Sequence, residues 1–282
     1  MKTTLISAAE LGVLPPGEAL IVDCRKDLAD AAKGRRDYMA GHIPGAVYAE
    51  LDADLSDLAL QSRGLGRHPL PSAAAFSAAL GRWGWRPGLQ VVAYDAANGA
   101  LAAARLWWLL RLAGERAVAV LDGGYAAWQA AGLPVETAVP RRAATRVAVQ
   151  FDPAQVLLDH DALHAAPAPL LLDARAAPRY RGDTEPLDPV AGHVPGALNR
   201  PFADNLAADG RFKPAAELER EFLAVLGTRA PAEVVHMCGS GVTACHNLLA
   251  MEHAGLVGSR LYAPSWSGWV SDRSRPVATG GE

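Results

Sequence analysis

The sequence is a duplication, and that limits its fold more than any other feature. Ile21-Val22-Asp23-Cys24-Arg25 returns about 150 residues later as Leu171-Leu172-Asp173-Ala174-Arg175. Ala40-Gly41-His42-Ile43-Pro44-Gly45-Ala46 returns as Ala191-Gly192-His193-Val194-Pro195-Gly196-Ala197. Val91-Val92-Ala93-Tyr94-Asp95 aligns with Val234-Val235-His236-Met237-Cys238, and Trp128 aligns with Trp269. The segments keep their order in both copies. Two copies in 282 residues describe a doubled domain, since solenoid repeats are far shorter, about 20–45 residues. We expect a first domain over 1–135, a Pro-, Thr- and Arg-rich linker over 136–150 and a second domain over 151–282.

Each copy alternates apolar β-branched runs with helical patterns. The runs 19–22, 90–94 and 117–121 are almost continuously apolar, as in strands of a parallel sheet covered on both faces. Between them, 72–81 and 101–114 carry helical spacing, the second ending at a glycine C-cap. Ser7 followed by Glu10 predicts a capping box at a short N-terminal helix. The fold class expected is α/β, each domain a mainly parallel central sheet flanked by helices. In such sheets ligands bind at the carboxyl ends of the strands, which directs attention to the residues after 91–92 and 234–235.

A net charge of −3 with one fifth of residues charged gives no overall attraction to nucleic acid or to an anionic membrane. The most apolar helical stretch, from 101 to 113, contains Arg105 and Arg111 and is too short to span a bilayer. Glu10 interrupts the apolar N-terminal run, and no cleavage site of a signal peptide follows. Three cysteines, Cys24, Cys238 and Cys245, cannot build a disulfide framework and suit a reducing compartment. The expected location is the cytoplasm. No C-x-x-C pair occurs and the eight histidines show no recurring ligand spacing, so neither metal nor cofactor is expected.

Cys238 stands apart from the other two thiols. It follows a predicted strand and opens the loop Gly239-Ser240-Gly241-Val242-Thr243, with a helical pattern over 245–253 behind it. Two glycines allow a tight loop whose N–H groups converge on the sulfur. The following helix N-terminus adds about half a positive charge. Both favour the thiolate, which is the nucleophilic form. Cysteine phosphatases use a related loop with an arginine six residues after the cysteine, but here that position is Ala244, which disfavours phosphoryl transfer. Cys24, on the first strand, and Cys245, inside the helix, are expected to be packing residues.

On these motifs the chain resembles the two-domain rhodanese-like sulfurtransferases over nearly its whole length. The marks are the two Gly-His-x-Pro-Gly-Ala segments, the duplicated Asp-x-Arg strands and a cysteine loop in the second copy alone. Asp95 stands where the first copy would carry its cysteine, so the resemblance implies a silent first domain. Thiosulfate sulfurtransferases typically carry Cys-Arg-Lys-Gly-Val-Thr, whereas Cys238-Gly239-Ser240-Gly241-Val242-Thr243 is similar to the loop of 3-mercaptopyruvate sulfurtransferases. The activity implied is transfer of sulfur from 3-mercaptopyruvate, through a persulfide on Cys238, to a thiophilic acceptor such as cyanide, a thiol or thioredoxin, releasing pyruvate. The resemblance assigns help in protonating the leaving enolate to Ser240, His68 and Asp52. It assigns donor binding to Arg179 and to the loop residues Gly239, Gly241, Val242 and Thr243; among the seven tryptophans, expected mainly to pack, Trp266 is the one expected to line the pocket.

Two departures accompany the resemblance. The loop from 183 to 190 lacks the second arginine that the family uses for the donor's carboxylate, and Tyr262-Ala263-Pro264-Ser265-Trp266 replaces Tyr-Asp-Gly-Ser-Trp. His42, His193, Asp23, Arg25, Asp173 and Arg175 occur in both copies although one copy lacks the cysteine, so they are expected to build the fold. Thiosulfate as donor, and a non-catalytic persulfide carrier or sensor, remain open alternatives.

Overall fold

The structure is a computed structural model and describes residues 1–163 and 167–281. In chain order the first half forms β1 (Leu5–Ile6), α1 (Ala8–Gly12), β2 (Ala19–Asp23), α2 (Lys33–Ala40), β3 (Val47–Tyr48), α3 (Leu51–Asp54), α4 (Ala73–Arg82), β4 (Gln90–Tyr94), α5 (Ala103–Leu112), β5 (Val118–Leu121) and α6 (Gly124–Ala130). The second half forms β6 (Val156–Leu157), β7 (Leu170–Asp173), α7 (Ala177–Arg181), β8 (Leu198–Asn199), α8 (Ala215–Leu226), β9 (Val234–Met237), α9 (Ala244–His253), β10 (Arg260–Tyr262) and α10 (Ser265–Trp269).

The duplication is exact in topology. One sheet runs β1-β5-β4-β2-β3 and the other β6-β10-β9-β7-β8. Every strand pair among the described residues is parallel. The registers match as well: Asp23 lies opposite Tyr94, and Asp173 opposite Met237. Asp95 and Cys238 are therefore the same structural position, the first residue past the central strand. The helices that follow, α5 and α9, are buried almost all round, which is why neither shows a polar stripe in the sequence.

The chain divides into two compact units, the first holding 1–56, 71–152 and 209–211, the second 57–70, 153–208 and 212 onward. Residues 136–150, which composition marks as a linker, thus belong to the first unit. Thr145 donates its N–H to Gly81 O at 3.0 Å, Val149 N–H reaches Ser77 Oγ at 3.0 Å, and the Phe151 ring lies 5.9 Å from Phe76. Such an extended, mainly backbone-bonded strip leaves no periodicity for a sequence to display. Segment 57–70, sequence of the first copy, packs with the second unit, where Arg67 N–H donates to Ser267 Oγ at 2.9 Å.

In both units a buried ion pair ties the end of the second strand to the Gly-His turn. Arg25 makes a forked contact with Asp23, Nη2 to Oδ2 at 2.6 Å, and donates to Gly41 O at 2.7 Å. Arg175 repeats this with Asp173 at 2.6 Å and Gly192 O at 2.8 Å. Each guanidinium lies over an aromatic ring, Arg25 over Tyr125 at 4.1 Å and Arg175 over Trp266 at 4.7 Å, an attraction between cation and ring face. His42 and His193 sit inside the turns. Their Nδ1 atoms bond Tyr38 O and Tyr180 O at 2.7 and 2.8 Å, and their rings stack on the same two tyrosines. Both histidines and both Asp-Arg pairs therefore serve the fold. Removing one partner of such a pair strands a buried charge, so Arg175→Ala is expected to lower stability by about 3–5 kcal/mol in urea unfolding. A loss below 1 kcal/mol would contradict this role.

Candidate active site

The site begins where β9 ends. The Cys238 backbone is fixed on three sides: its N–H donates to Ser265 Oγ at 3.1 Å, its carbonyl accepts from Trp266 N–H at 3.0 Å, and Gly239 O accepts from Ser267 N–H at 2.9 Å. Met237 O, one residue earlier, receives Ala174 N–H at 2.8 Å. Cys238 itself is 3% exposed, a buried residue. Ser265 takes φ +53°, a left-handed conformation that costs a non-glycine residue roughly 1–2 kcal/mol. Its hydroxyl offsets that cost by bridging Cys238 N–H and Tyr262 O at 3.0 Å. Sequence reading gave Ser265 no role, because nothing in the residue type signals a positive φ.

The first unit shows what this position is built to hold. There the carboxylate of Asp95, fully buried, accepts from five backbone N–H groups, those of Ala97, Gly99, Leu101, Ala102 and Ala103, at 2.8–3.1 Å. That is an anion cradle formed by a strand-to-helix turn. These bonds also explain why α5 starts at Ala103, two residues later than helical spacing predicts. In the second unit the loop between strand and helix is two residues shorter and carries a thiol at the same point. Gly241, at φ +75°, lets the loop turn; a Cβ there would stand 2.4 Å from Ala263 O.

Around this cradle the structure assembles several of the expected residues. His68 Nδ1 lies 2.8 Å from Ser240 Oγ, two residues beyond the cysteine, because 57–70 belongs to the same unit. Val242 and the three residues from Gly239 to Gly241 are buried in the loop, and Thr243 precedes α9 without capping it through its side chain. Asp52 belongs to the first unit, where Lys26 Nζ approaches it at 2.5 Å. Trp266 differs from the expectation that it lines a pocket. It is fully buried, donates Nε1–H to Val190 O at 2.9 Å and supports Arg175 from below.

Arg179 is more engaged than a free donor-binding guanidinium. Its Nε and Nη2 grip Glu185 at 2.6–3.2 Å, and Nη2 lies 3.4 Å from Asp188. Glu185 also accepts from Leu187 N–H and Asp188 N–H at 3.0 and 3.1 Å. Burial alone raises the Glu185 carboxyl pKa; Arg179 and these two amides outweigh it and hold the group below its ordinary value. The acidic loop that lacks an arginine is thus a clamp on neighbouring arginines. Arg67, from the 57–70 segment, pairs with Asp188 through Nη1. The Arg67–Asp188 pair was not visible in the sequence, where the two residues lie 121 positions apart.

The other two thiols are buried. Cys24 is fully buried and its thiol is pushed well up by burial, with Asp95, Asp23 and Asp54 adding to the effect. Cys245 Sγ donates to Gly241 O at 3.5 Å inside α9. His236, on β9, is held neutral by burial, with its pKa lowered to about 3. Among the described residues no group of three His, Cys, Asp or Glu side chains is placed to hold a metal ion, and no helix is long and apolar enough to cross a membrane. Gly241→Ala combines a left-handed backbone with a backbone clash, so it is expected to cost more than about 2 kcal/mol and to remove sulfur loading. A thermal melt and a loading assay on the variant check both effects.

Comparison with known proteins identifies the family. The profile of the rhodanese-like domain matches twice, over residues 8–131 and 157–272. The chain is 49% identical over 282 residues to a probable 3-mercaptopyruvate sulfurtransferase of Pseudomonas aeruginosa, covering 98% of each chain. It is 41% identical over 290 residues to a putative thiosulfate sulfurtransferase of Mycobacterium tuberculosis, covering 98% of this chain and 97% of that one. Among solved structures, 3-mercaptopyruvate sulfurtransferase from Leishmania major superposes with a TM-score of 0.84 at 31% identity, over 96% of this chain and 75% of the other.

Proposed function

Since the chain belongs to the rhodanese-like family and carries its domain in tandem, we propose that it is a sulfurtransferase that takes sulfur from 3-mercaptopyruvate onto Cys238. The first domain, with Asp95 in the cradle, is the silent partner, and the domain containing 151–282 is the catalytic one. The observation that carries the choice of donor is the His68–Ser240 pair, 2.8 Å apart, beside the cysteine loop. Thiosulfate leaves as sulfite, a weak base that needs no proton. 3-Mercaptopyruvate leaves as an enolate, which does.

In the first step the Cys238 thiolate attacks the donor's sulfur. An S–S bond forms and the C–S bond breaks, its electron pair passing to carbon as the enolate of pyruvate. Cys238 is left as the persulfide. The Ser240 hydroxyl, hydrogen-bonded to His68, delivers a proton to the enolate and is re-protonated through the imidazole. Asp52 is the third member that the resemblance assigns to this transfer. In the second step a thiophile attacks the outer sulfur and the Cys238 thiolate departs with the S–S electron pair. Cyanide leaves as thiocyanate; a thiol leaves as its persulfide, and thioredoxin is the protein acceptor this reading names. The cradle that holds the Asp95 carboxylate in one unit supports a sulfur anion in the other. Gly239, Gly241, Val242 and Thr243 form the cradle, and Arg179 faces the donor. Three free thiols suit a cytoplasmic location.

The Mycobacterium tuberculosis relative, named for thiosulfate, makes thiosulfate the second reading. Intact-mass spectrometry after exposure to each donor separates the two. Loading of one sulfur on wild-type protein by 3-mercaptopyruvate, lost in Cys238→Ser and retained in Cys24→Ser and Cys245→Ser, is the expected result. Loading by thiosulfate alone overturns the donor assignment, and loading by neither overturns the enzyme. Separately, His68→Asn and Ser240→Ala are each expected to lower kcat with 3-mercaptopyruvate by roughly 10²–10⁴, and to leave any sulfur loading from thiosulfate unchanged. Equal losses with both donors would instead assign the pair to the support of the loop.

A further inference from the structure

Segment 57–70, which carries His68, closes on itself. Asp57 N–H donates to Pro69 O at 3.0 Å, and Gln61 Nε2 donates to Arg67 O at 2.8 Å. A loop tied across its own neck moves as one body, so the place of His68 depends on the bonds the loop makes outward. One runs from Arg67 N–H to Ser267 Oγ at 2.9 Å. Another lies at Gly64, whose backbone hydrogen-bonds the imidazole of His160. Gly64 N–H already donates to Gln61 O at 3.1 Å, so the Gly64 carbonyl is the partner and the ring donates.

His160 follows β6 and is itself held in place. Its Nδ1 lies 2.5 Å from the hydroxyl of Tyr262, the last residue of β10, and its ring stands edge-on to those of Tyr262 and Trp269 at 5.8 and 6.4 Å. Burial, and after it Arg275, lower the His160 pKa below its ordinary value against the opposing pull of Asp159 and Asp161. A neutral imidazole has one N–H and one acceptor nitrogen. With the N–H on Gly64 O, Nδ1 accepts from the Tyr262 hydroxyl. Tyr262 O in turn accepts from Ser265 Oγ, the group that receives Cys238 N–H. The contact between loop and α10 is close: a Cβ on Gly268 would stand 2.8 Å from Gly64 O.

We propose that His160 is a positioning residue for the His68–Ser240 pair, fixing through Gly64 the loop that brings the His68 imidazole to the serine. This rests on that pair protonating the enolate that leaves when 3-mercaptopyruvate gives up its sulfur. A displacement of about 1 Å caused far from the reacting atoms costs up to about 10² in rate. The cost falls on the first step alone, because removal of the outer sulfur by a thiophile expels the Cys238 thiolate and needs no proton from the pair.

Single-turnover kinetics separate the two steps. Pyruvate release reads loading of Cys238 by 3-mercaptopyruvate, and thiocyanate formation from pre-loaded protein reads unloading by cyanide. His160→Phe keeps a ring beside Trp269 and removes both nitrogens; it should slow loading about 10–100-fold and leave unloading unchanged. His160→Gln, which restores an N–H for Gly64 O, should recover most of that loss. In a Ser240→Ala background His160→Phe should add no more than about twofold, because the pair it positions is already broken. Should His160→Phe not fold, Tyr262→Phe removes the hydroxyl that orients the ring and should slow loading with the same selectivity. Loading at the wild-type rate, equal slowing of both steps, no recovery in His160→Gln, or the full loss repeated in the Ser240→Ala background overturns the inference and leaves the donor assignment standing. Wild-type protein that takes no sulfur from 3-mercaptopyruvate overturns the donor assignment, and this inference with it.

Discussion

At the carboxyl end of β4 five backbone N–H groups surround the buried carboxylate of Asp95. A parallel strand that ends against the start of a helix leaves such donors without partners inside the element itself, and a buried N–H must be satisfied. An anion at the first residue past the strand meets that demand. In the first unit a carboxylate meets it permanently. In the second the residue at this position is Cys238.

The rest of each unit serves to hold that turn in place. The second strand pairs with the central one through the backbone ladder, and the Asp-Arg fork at its end reaches the Gly-His turn through Gly41 O or Gly192 O. The aromatic ring beneath each arginine comes from the helix after the last strand, and the same aromatic residue donates its backbone N–H to the residue past the central strand, Tyr125 to Asp95 O and Trp266 to Cys238 O, both at 3.0 Å. A buried ion pair is a weak source of stability by itself. Here it joins three segments that converge on one position, so its value lies in geometry.

The two copies part company in what surrounds this position. Tyr94 donates to Asp23 at 2.7 Å in the first unit, whereas the equivalent Met237 has no hydroxyl. In the second unit Glu185, in the loop after α7, approaches Arg175 at 3.5 Å. That loop carries the acids that hold Arg179 and Arg67, and the 57–70 segment adds His68 at Ser240. Polar groups that a stable domain could do without are thus concentrated beside Cys238, as expected where chemistry, and not packing, sets the residue.

The sequence determined the duplication, the α/β class and which copy carries a cysteine after its central strand. Those features are local: apolar runs, glycines around a cysteine and motifs repeated in order survive in a linear text. The structural roles of His42, His193 and the two Asp-Arg pairs were legible for the same reason, since their partners lie within a few residues or recur in both copies. Tertiary structure alone decided what is non-local. Trp266 points into the core because Arg175 and Val190 claim its face and its nitrogen. Residues 136–150 pack on the first unit through backbone bonds that no composition encodes. Arg67 reaches Asp188 across about 120 residues of chain. A single charged residue in a loop carries no periodicity and no motif. Its meaning arises only when folding brings a buried carboxylate within its reach.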